Sequence, residues 1–176
     1  MTEQKLEEAN LLSWNSTIDN RFSIFIIYPN HPAFKQLEGI YFKIFGVAFL
    51  DFETMTIFID GKELSKDGYT INHLYAIEAH EIAHHILQHD RKRPTKDQER
   101  EADAAAIVIL DYLNHNAAKE LLITRFKGLY TDDYSIDNNL PKKEHKMLID
   151  YLKNKKPSLL NKIKDKIKEI FRINKK

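Results

Sequence analysis

No cysteine occurs among the 176 residues of this chain. Disulfides and thiolate metal ligands are both excluded, so any bound metal must rest on His, Asp or Glu. The opening stretch MTEQKLEEANLLSW has no basic segment followed by an apolar one, and no signal peptide is expected. No apolar run approaches the ~20 residues that a membrane-spanning helix needs. The expectation is a soluble, cytoplasmic protein. Internal repeats are lacking, as are low-complexity segments before the C-terminal tail.

Net charge is nearly absent too, at +1, but that value hides a split. Residues 142–176 carry 13 Lys/Arg against 4 Asp/Glu, about +9, whereas residues 1–141 carry 14 against 22, about −8. This asymmetry suggests a mildly acidic domain, 1–141, followed by a basic helical extension, 142–176. With 43% hydrophobic residues, the chain as a whole can bury a core.

What is present is led by His80-Glu81-Ile82-Ala83-His84. On a helix this HExxH spacing sets two histidines one turn apart on one face, where two neutral imidazoles can hold one Zn²⁺. The glutamate beside the first histidine then stands ready to exchange protons with a metal-activated water. Five residues are a modest signal, and the bland counterpart is a pair of surface histidines with a solvent-facing glutamate. The cluster Glu99-Arg100-Glu101-Ala102-Asp103, beginning fifteen residues after His84, strengthens the catalytic reading.

The flanking pattern puts these residues on elements. The first twenty residues read as a polar helix followed by an Asn/Ser turn region. Arg21–Tyr28 is rich in β-branched and aromatic residues and stops at Pro29-Asn30, as a strand does. Helical spacing of Phe34, Leu37, Ile40 and Tyr41 suggests a helix over 32–45, weakened by Gly39. Val47–Phe52 and Thr54–Asp60 read as strands, with a turn at Asp60-Gly61. Substrate selection would then depend in part on whether the Met55–Asp60 strand is an open sheet edge.

The central helix is expected from about Asn72 to His89. Tyr75, Ala79, Ile82 and Ile86 form a core stripe; Ile77, His80, His84 and Leu87 form the metal-bearing stripe. Glu78, Glu81, His85 and Gln88 form the next and should open to a cleft. The cations Arg91, Lys92 and Arg93 after its end suit the helix dipole. Thr95 and Gln98 make a capping box that starts a second helix, running to about Asn114. On it Glu99 and Asp103 share a face, and Ala104, Ala105 and Ala106 are small enough for another helix to come close.

A catalytic zinc needs three protein ligands and one open position. His80 and His84 supply two, and Glu99 is the best third, with Asp103 and then Asp90 as rivals. Asp90 lies ten residues after His80, where another HExxH group carries its last ligand, but Leu87 replaces the glycine such a return requires. Asp103 is better suited to accept a hydrogen bond from the outer nitrogen of a ligand imidazole. His85 and His89 are expected off the metal face, in solvent or cleft positions. His73 lies at the start of the helix, and His115 and His145 are expected at the surface. His85, His115, Tyr112 and Tyr130 all remain open as stabilisers of a reacting carbonyl.

HEIAH followed by EREAD resembles the zincin metallopeptidases of the gluzincin type, and most closely the small metallopeptidases of the ImmA/IrrE family. The likeness covers about residues 45–115 and rests on IFIDGKEL, EAHEIAHHILQH and QEREADAAA. It implies an α+β zincin-like fold, with a small, mainly antiparallel sheet beside the HExxH helix and a second ligand-bearing helix. It implies His80, His84 and Glu99 as zinc ligands, Glu81 as catalytic acid/base and Asp103 as their outer partner. Ala83 stands where that family commonly has glycine. No helix-turn-helix segment is recognisable at the N-terminus, so DNA binding is not carried over.

The expected function is zinc-dependent peptide-bond hydrolysis on a protein or peptide substrate. The alternative is a catalytically silent metal-binding protein that acts by contact. In the tail, Leu159, Leu160, Ile163, Ile167, Ile170 and Phe171 form an apolar stripe beneath Lys162, Lys164, Lys166, Lys168 and Arg172. Such a helix can contact nucleic acid or an anionic membrane, but docking on its own domain is favoured because the stripe needs a cover.

Overall fold

A computed structural model describes residues 11–43, 46–66, 68–89, 94–130 and 139–154. The chain is α+β. Strands β1 (Leu11–Asn15), β2 (Ser23–Ile27), β3 (Ala48–Asp51) and β4 (Thr56–Asp60) form one sheet in the order β1-β2-β4-β3. The helices are α1 (Phe34–Leu37), α2 (Gly61–Leu64), α3 (Ile71–Leu87), α4 (Lys96–Tyr112), α5 (Asn116–Leu129) and α6, over residues 142–154. Among the described residues no helix is long and apolar enough to cross a membrane.

The sheet is mixed. The β1–β2 and β3–β4 pairings are antiparallel, but β2 and β4 run parallel at its centre. The chain leaves β2 through α1, returns as the edge strand β3, and turns back into β4. That crossover imposes the parallel pair. It also answers whether the Met55–Asp60 strand is an open edge: β4 is interior, and the edges are β1 and β3.

Two further expectations change. Leu11–Asn15 is a strand, not part of a polar helix: Leu12 and Trp14 pack toward the core while Leu11, Ser13 and Asn15 are exposed. This period of two suits β pairing. Residues 1–10 lie outside the described segments. The helix expected over 32–45 is one α turn followed by a π turn, Glu38–Phe42, which includes Gly39. The wider turn returns Phe42 to the side of Phe34, with ring centroids 6.2 Å apart.

Alternation along the strands divides the sheet's two faces. Ile24, Ile26, Ile57 and Ile59 face α3 and α4 in the main core, with Ala79, Ile82, Ile86, Ile107 and Ile109. Phe25, Ile27, Phe49 and Phe58 face the other way, toward Phe34 and Phe42. Ile57, Ile59 and Ile82 are at most 1% exposed. Each such side chain contributes roughly 1.5–3 kcal/mol by burial, more than the ~0.5–1.5 kcal/mol of a typical hydrogen bond. Apolar packing therefore holds α3 to the sheet.

The Asp60-Gly61 turn becomes the start of α2, where the Asp60 carboxylate accepts from the Lys62 and Glu63 N–H groups. A Cβ at Gly61 would stand 2.8 Å from the Ile27 carbonyl oxygen, so this close approach requires glycine. Residues 142–154, the first part of the basic extension, pack into the main core through Leu148 and Leu152. The apolar and lysine stripes at 159–172 lie outside the described residues.

Candidate metal centre

Local sequence fixes both helices that carry the site. Thr70 caps α3 in a capping box closed by His73, whose Nδ1 receives the Thr70 N–H at 3.0 Å. His73 is thus part of the helix start. The helix stops at Gln88, which adopts the left-handed conformation at φ 58°. Thr95 and Gln98 form the expected box at the start of α4, placing Glu99 in its first turn. Small residues at Ala102 and Ala104–Ala106, all fully buried, let α4 pack closely on α3.

That crossing brings three candidate ligand groups together, with a different Glu99 oxygen nearest to each imidazole. His80 Nε2 and His84 Nε2 lie 3.1 Å apart; Glu99 Oε2 lies 3.3 Å from the first and Glu99 Oε1 3.6 Å from the second. Tetrahedral coordination with bonds of ~2.0–2.1 Å requires ligand atoms about 3.3–3.4 Å apart. The donor set, two imidazoles and a carboxylate, also suits zinc. Among the described residues this is the group of His, Asp and Glu able to hold a metal ion.

Proton bookkeeping supports the same fit. His80 Nδ1 donates to Asp103 Oδ1 at 2.8 Å, which leaves its Nε2 facing the other two ligand atoms. Among the protein's own groups, burial opposes charge on His80, but the hydrogen bonds to Asp103 and Glu99 outweigh it and raise its pKa to about 10. Burial and the His80 charge push His84 down to about 2. Without a metal, the charge of the pair therefore rests on His80, facing the Glu99 carboxylate and a neutral His84. Metal binding there would have to displace that proton.

Asp103 is fully buried. Burial opposes its ionisation, yet His80 and Arg125 hold its carboxyl below the ordinary range. Its Oδ2 makes no hydrogen bond of normal length and relies on the charge of Arg125, 3.6 Å away. Tyr130 adds a weaker interaction with the same carboxylate.

Glu81 is also buried, and burial raises its carboxyl to about 7, with a backbone hydrogen bond from Leu50 pulling the other way. It lines a cleft of about 590 Å³ together with His80, His84, Glu99 and the edge strand β3. Leu37, Tyr41, Phe49 and Phe58 line the same cleft.

The rest of the expected cleft stripe does not open there. Glu78 is 2% exposed and accepts hydrogen bonds from the Ser16 hydroxyl and the Ile18 N–H. His85 packs between Phe22 and Phe52, with centroids 5.2 and 6.1 Å away. Ser16, Ile18 and Phe22 of the β1–β2 loop cover these two positions, a consequence of tertiary packing that helical periodicity does not contain.

Of the open choices for a carbonyl stabiliser, none lines the cleft. His115 stacks on Tyr75 at 4.4 Å, and Tyr130 interacts with Asp103. Asp90 and the basic run 91–93 lie outside the described residues.

His89 is the residue that sequence reasoning misplaced. It is buried at 6% exposure, with Nδ1 2.9 Å from His84 Nδ1 and Nε2 3.3 Å from Glu101 Oε2. It follows the helix stop, so wheel counting fails for it; its N–H bonds back to the His84 carbonyl at 3.1 Å. The available signal was Glu101 itself, two residues from Glu99. No protein-family model, curated protein or solved structure matches this chain.

Proposed function

We propose that this protein is a zinc-dependent metallopeptidase with a gluzincin-type site, hydrolysing peptide bonds in a peptide or protein substrate. The observation that carries this reading is the convergence of His80, His84 and Glu99 at near-tetrahedral spacing, beside Glu81 in one cleft. Zinc bound there would act as a Lewis acid on the scissile carbonyl and lower the pKa of a water toward ~7.

The chain's own residues supply the rest. His80, His84 and Glu99 hold the ion, while Asp103 keeps the His80 Nε2 lone pair turned toward it. Glu81 takes a proton from the attacking water and gives it to the departing amine, so that it returns to its starting state. Its burial favours a carboxyl able to work in both directions near neutral pH. Strand β3 offers its outer edge along the cleft, where an extended peptide can pair by backbone hydrogen bonds. The motif resemblance to ImmA/IrrE-type metallopeptidases supports a regulatory or processing protease of the cytoplasm.

Glu81→Gln tests the chemistry. It should leave zinc content and folding nearly unchanged while lowering turnover of a peptide library by at least ~10²-fold. Equal turnover by the zinc-loaded variant refutes the mechanism. Zinc uptake by the wild-type chain without any turnover would instead favour a silent metal-binding protein.

A further inference from the structure

We infer that His89 and Glu101 form a hydrogen-bonded relay that fixes the tautomer of His84 and so positions it as a metal ligand. The inference rests on the metal reading above and extends it to two residues that are not themselves candidate ligands.

The geometry permits only a few proton arrangements. Two ring nitrogens, His84 Nδ1 and His89 Nδ1, lie 2.9 Å apart, so one must donate to the other. If His84 donates, its Nε2 carries a lone pair toward His80 and Glu99. His89 then bears its proton on Nε2, which points at Glu101 Oε2, 3.3 Å away. Every donor meets an acceptor.

The reverse arrangement fails at both ends. With His89 donating, His84 carries its proton on Nε2, in the place where a metal bond is needed. In a neutral ring, His89 Nε2 then presents a lone pair to the Glu101 carboxylate, an acceptor facing an acceptor. Glu101 therefore selects the competent tautomer from two residues away. It does for His84, through His89, what Asp103 does directly for His80.

The backbone keeps the relay in register. Gln88 in its left-handed conformation turns the chain back, and the His89 N–H donates to the His84 carbonyl at 3.1 Å. The His84 and His89 rings meet edge to face, with centroids 5.0 Å apart. His89 is nearly inaccessible, whereas the Glu101 side chain is 27% exposed. Glu101 can thus be changed without disturbing the core.

The test is a Zn²⁺ titration of the full chain against a chromogenic chelator, for wild type, His89→Leu, His89→Asn, Glu101→Gln and the double variant His89→Asn/Glu101→Gln. His89→Leu should weaken zinc binding by roughly 10–100-fold, the range for an outer-shell partner. His89→Asn should restore most of the loss, because its side-chain oxygen can occupy the position of Nδ1 and accept from His84. Glu101→Gln should weaken binding when His89 is present and have no effect beside His89→Asn. In zinc-loaded wild type, ¹⁵N-histidine spectra should show His84 protonated at Nδ1 and His89 at Nε2.

Unchanged zinc affinity in both His89→Leu and Glu101→Gln overturns the relay, as does a His89→Asn variant as weak as His89→Leu. A wild-type chain that takes up no zinc fails earlier and sinks the metal reading itself.

Discussion

Replacing Glu99 by alanine is the sharpest perturbation of the centre, because the structure separates its effect on metal from its effect on folding. The side chain is 37% exposed, and its contacts are with the two ligand imidazoles, at 3.3 and 3.6 Å. Glu99 is open to solvent although its imidazole partners are buried, so the metal-free Glu99→Ala protein should unfold within roughly 1–2 kcal/mol of wild type. Metal binding is a different matter. Zinc on four protein ligands gains roughly 10–16 kcal/mol, about 3 kcal/mol for each. Losing one of three should weaken affinity by roughly 10²-fold. Chelator competition measures the binding, and denaturant unfolding of the metal-free protein measures the stability. Asp103→Ala should fall between, with a roughly 10–100-fold loss, because Asp103 acts through His80. Asp90→Ala is the control and should bind zinc as wild type does. Wild-type zinc affinity in Glu99→Ala, together with a loss in Asp90→Ala, would refute the reasoning and move the third ligand to Asp90.

Two other outcomes follow from burial outside the centre. Burial raises the Glu78 carboxyl above its ordinary 4.5, although Ser16 and Ile18 hydrogen bonds oppose the shift. The folded state therefore favours the protonated form, and this group's contribution is full below the ordinary value and lost as pH rises through the folded one. Glu78→Gln keeps an acceptor for Ser16 and Ile18 without titrating, so its stability relative to wild type should improve from pH 4 to pH 8 in denaturant melts; a constant difference counts against the assignment. Leu148 in α6 is fully buried, so Leu148→Ala should destabilise the whole protein by about 2–5 kcal/mol. A change below about 0.5 kcal/mol, measured by chemical unfolding, would mean that α6 is a detachable appendage.

The motifs legible in the sequence are those governed by one helix at a time. The spacing of His80 and His84 puts both rings on one face because a helix turns once in 3.6 residues. Thr95 and Gln98 announce the start of α4 and thereby put Glu99 in its first turn. Such rules act over three or four residues and need no knowledge of the fold. The choice of Glu99 and Asp103 drew on a motif resemblance as well as on helical spacing, and the α3–α4 crossing is what brings both to His80.

What depended on long-range packing was not legible. Leu11–Asn15 is a strand because β2 lies beside it to pair with, while its local composition was also compatible with a helix. β3, and not β4, is an edge strand because the chain crosses over after β2, a decision made by the whole sheet. Glu78 and His85 leave the cleft because the β1–β2 loop packs where a helical wheel shows open space. His89 reaches His84 only because the chain reverses at Gln88, and Glu101 meets it across 12 residues of sequence. Local periodicity fixed which residues share a face; the packing of α3 against α4 and the sheet decided which of those faces meet, and that decision makes the site.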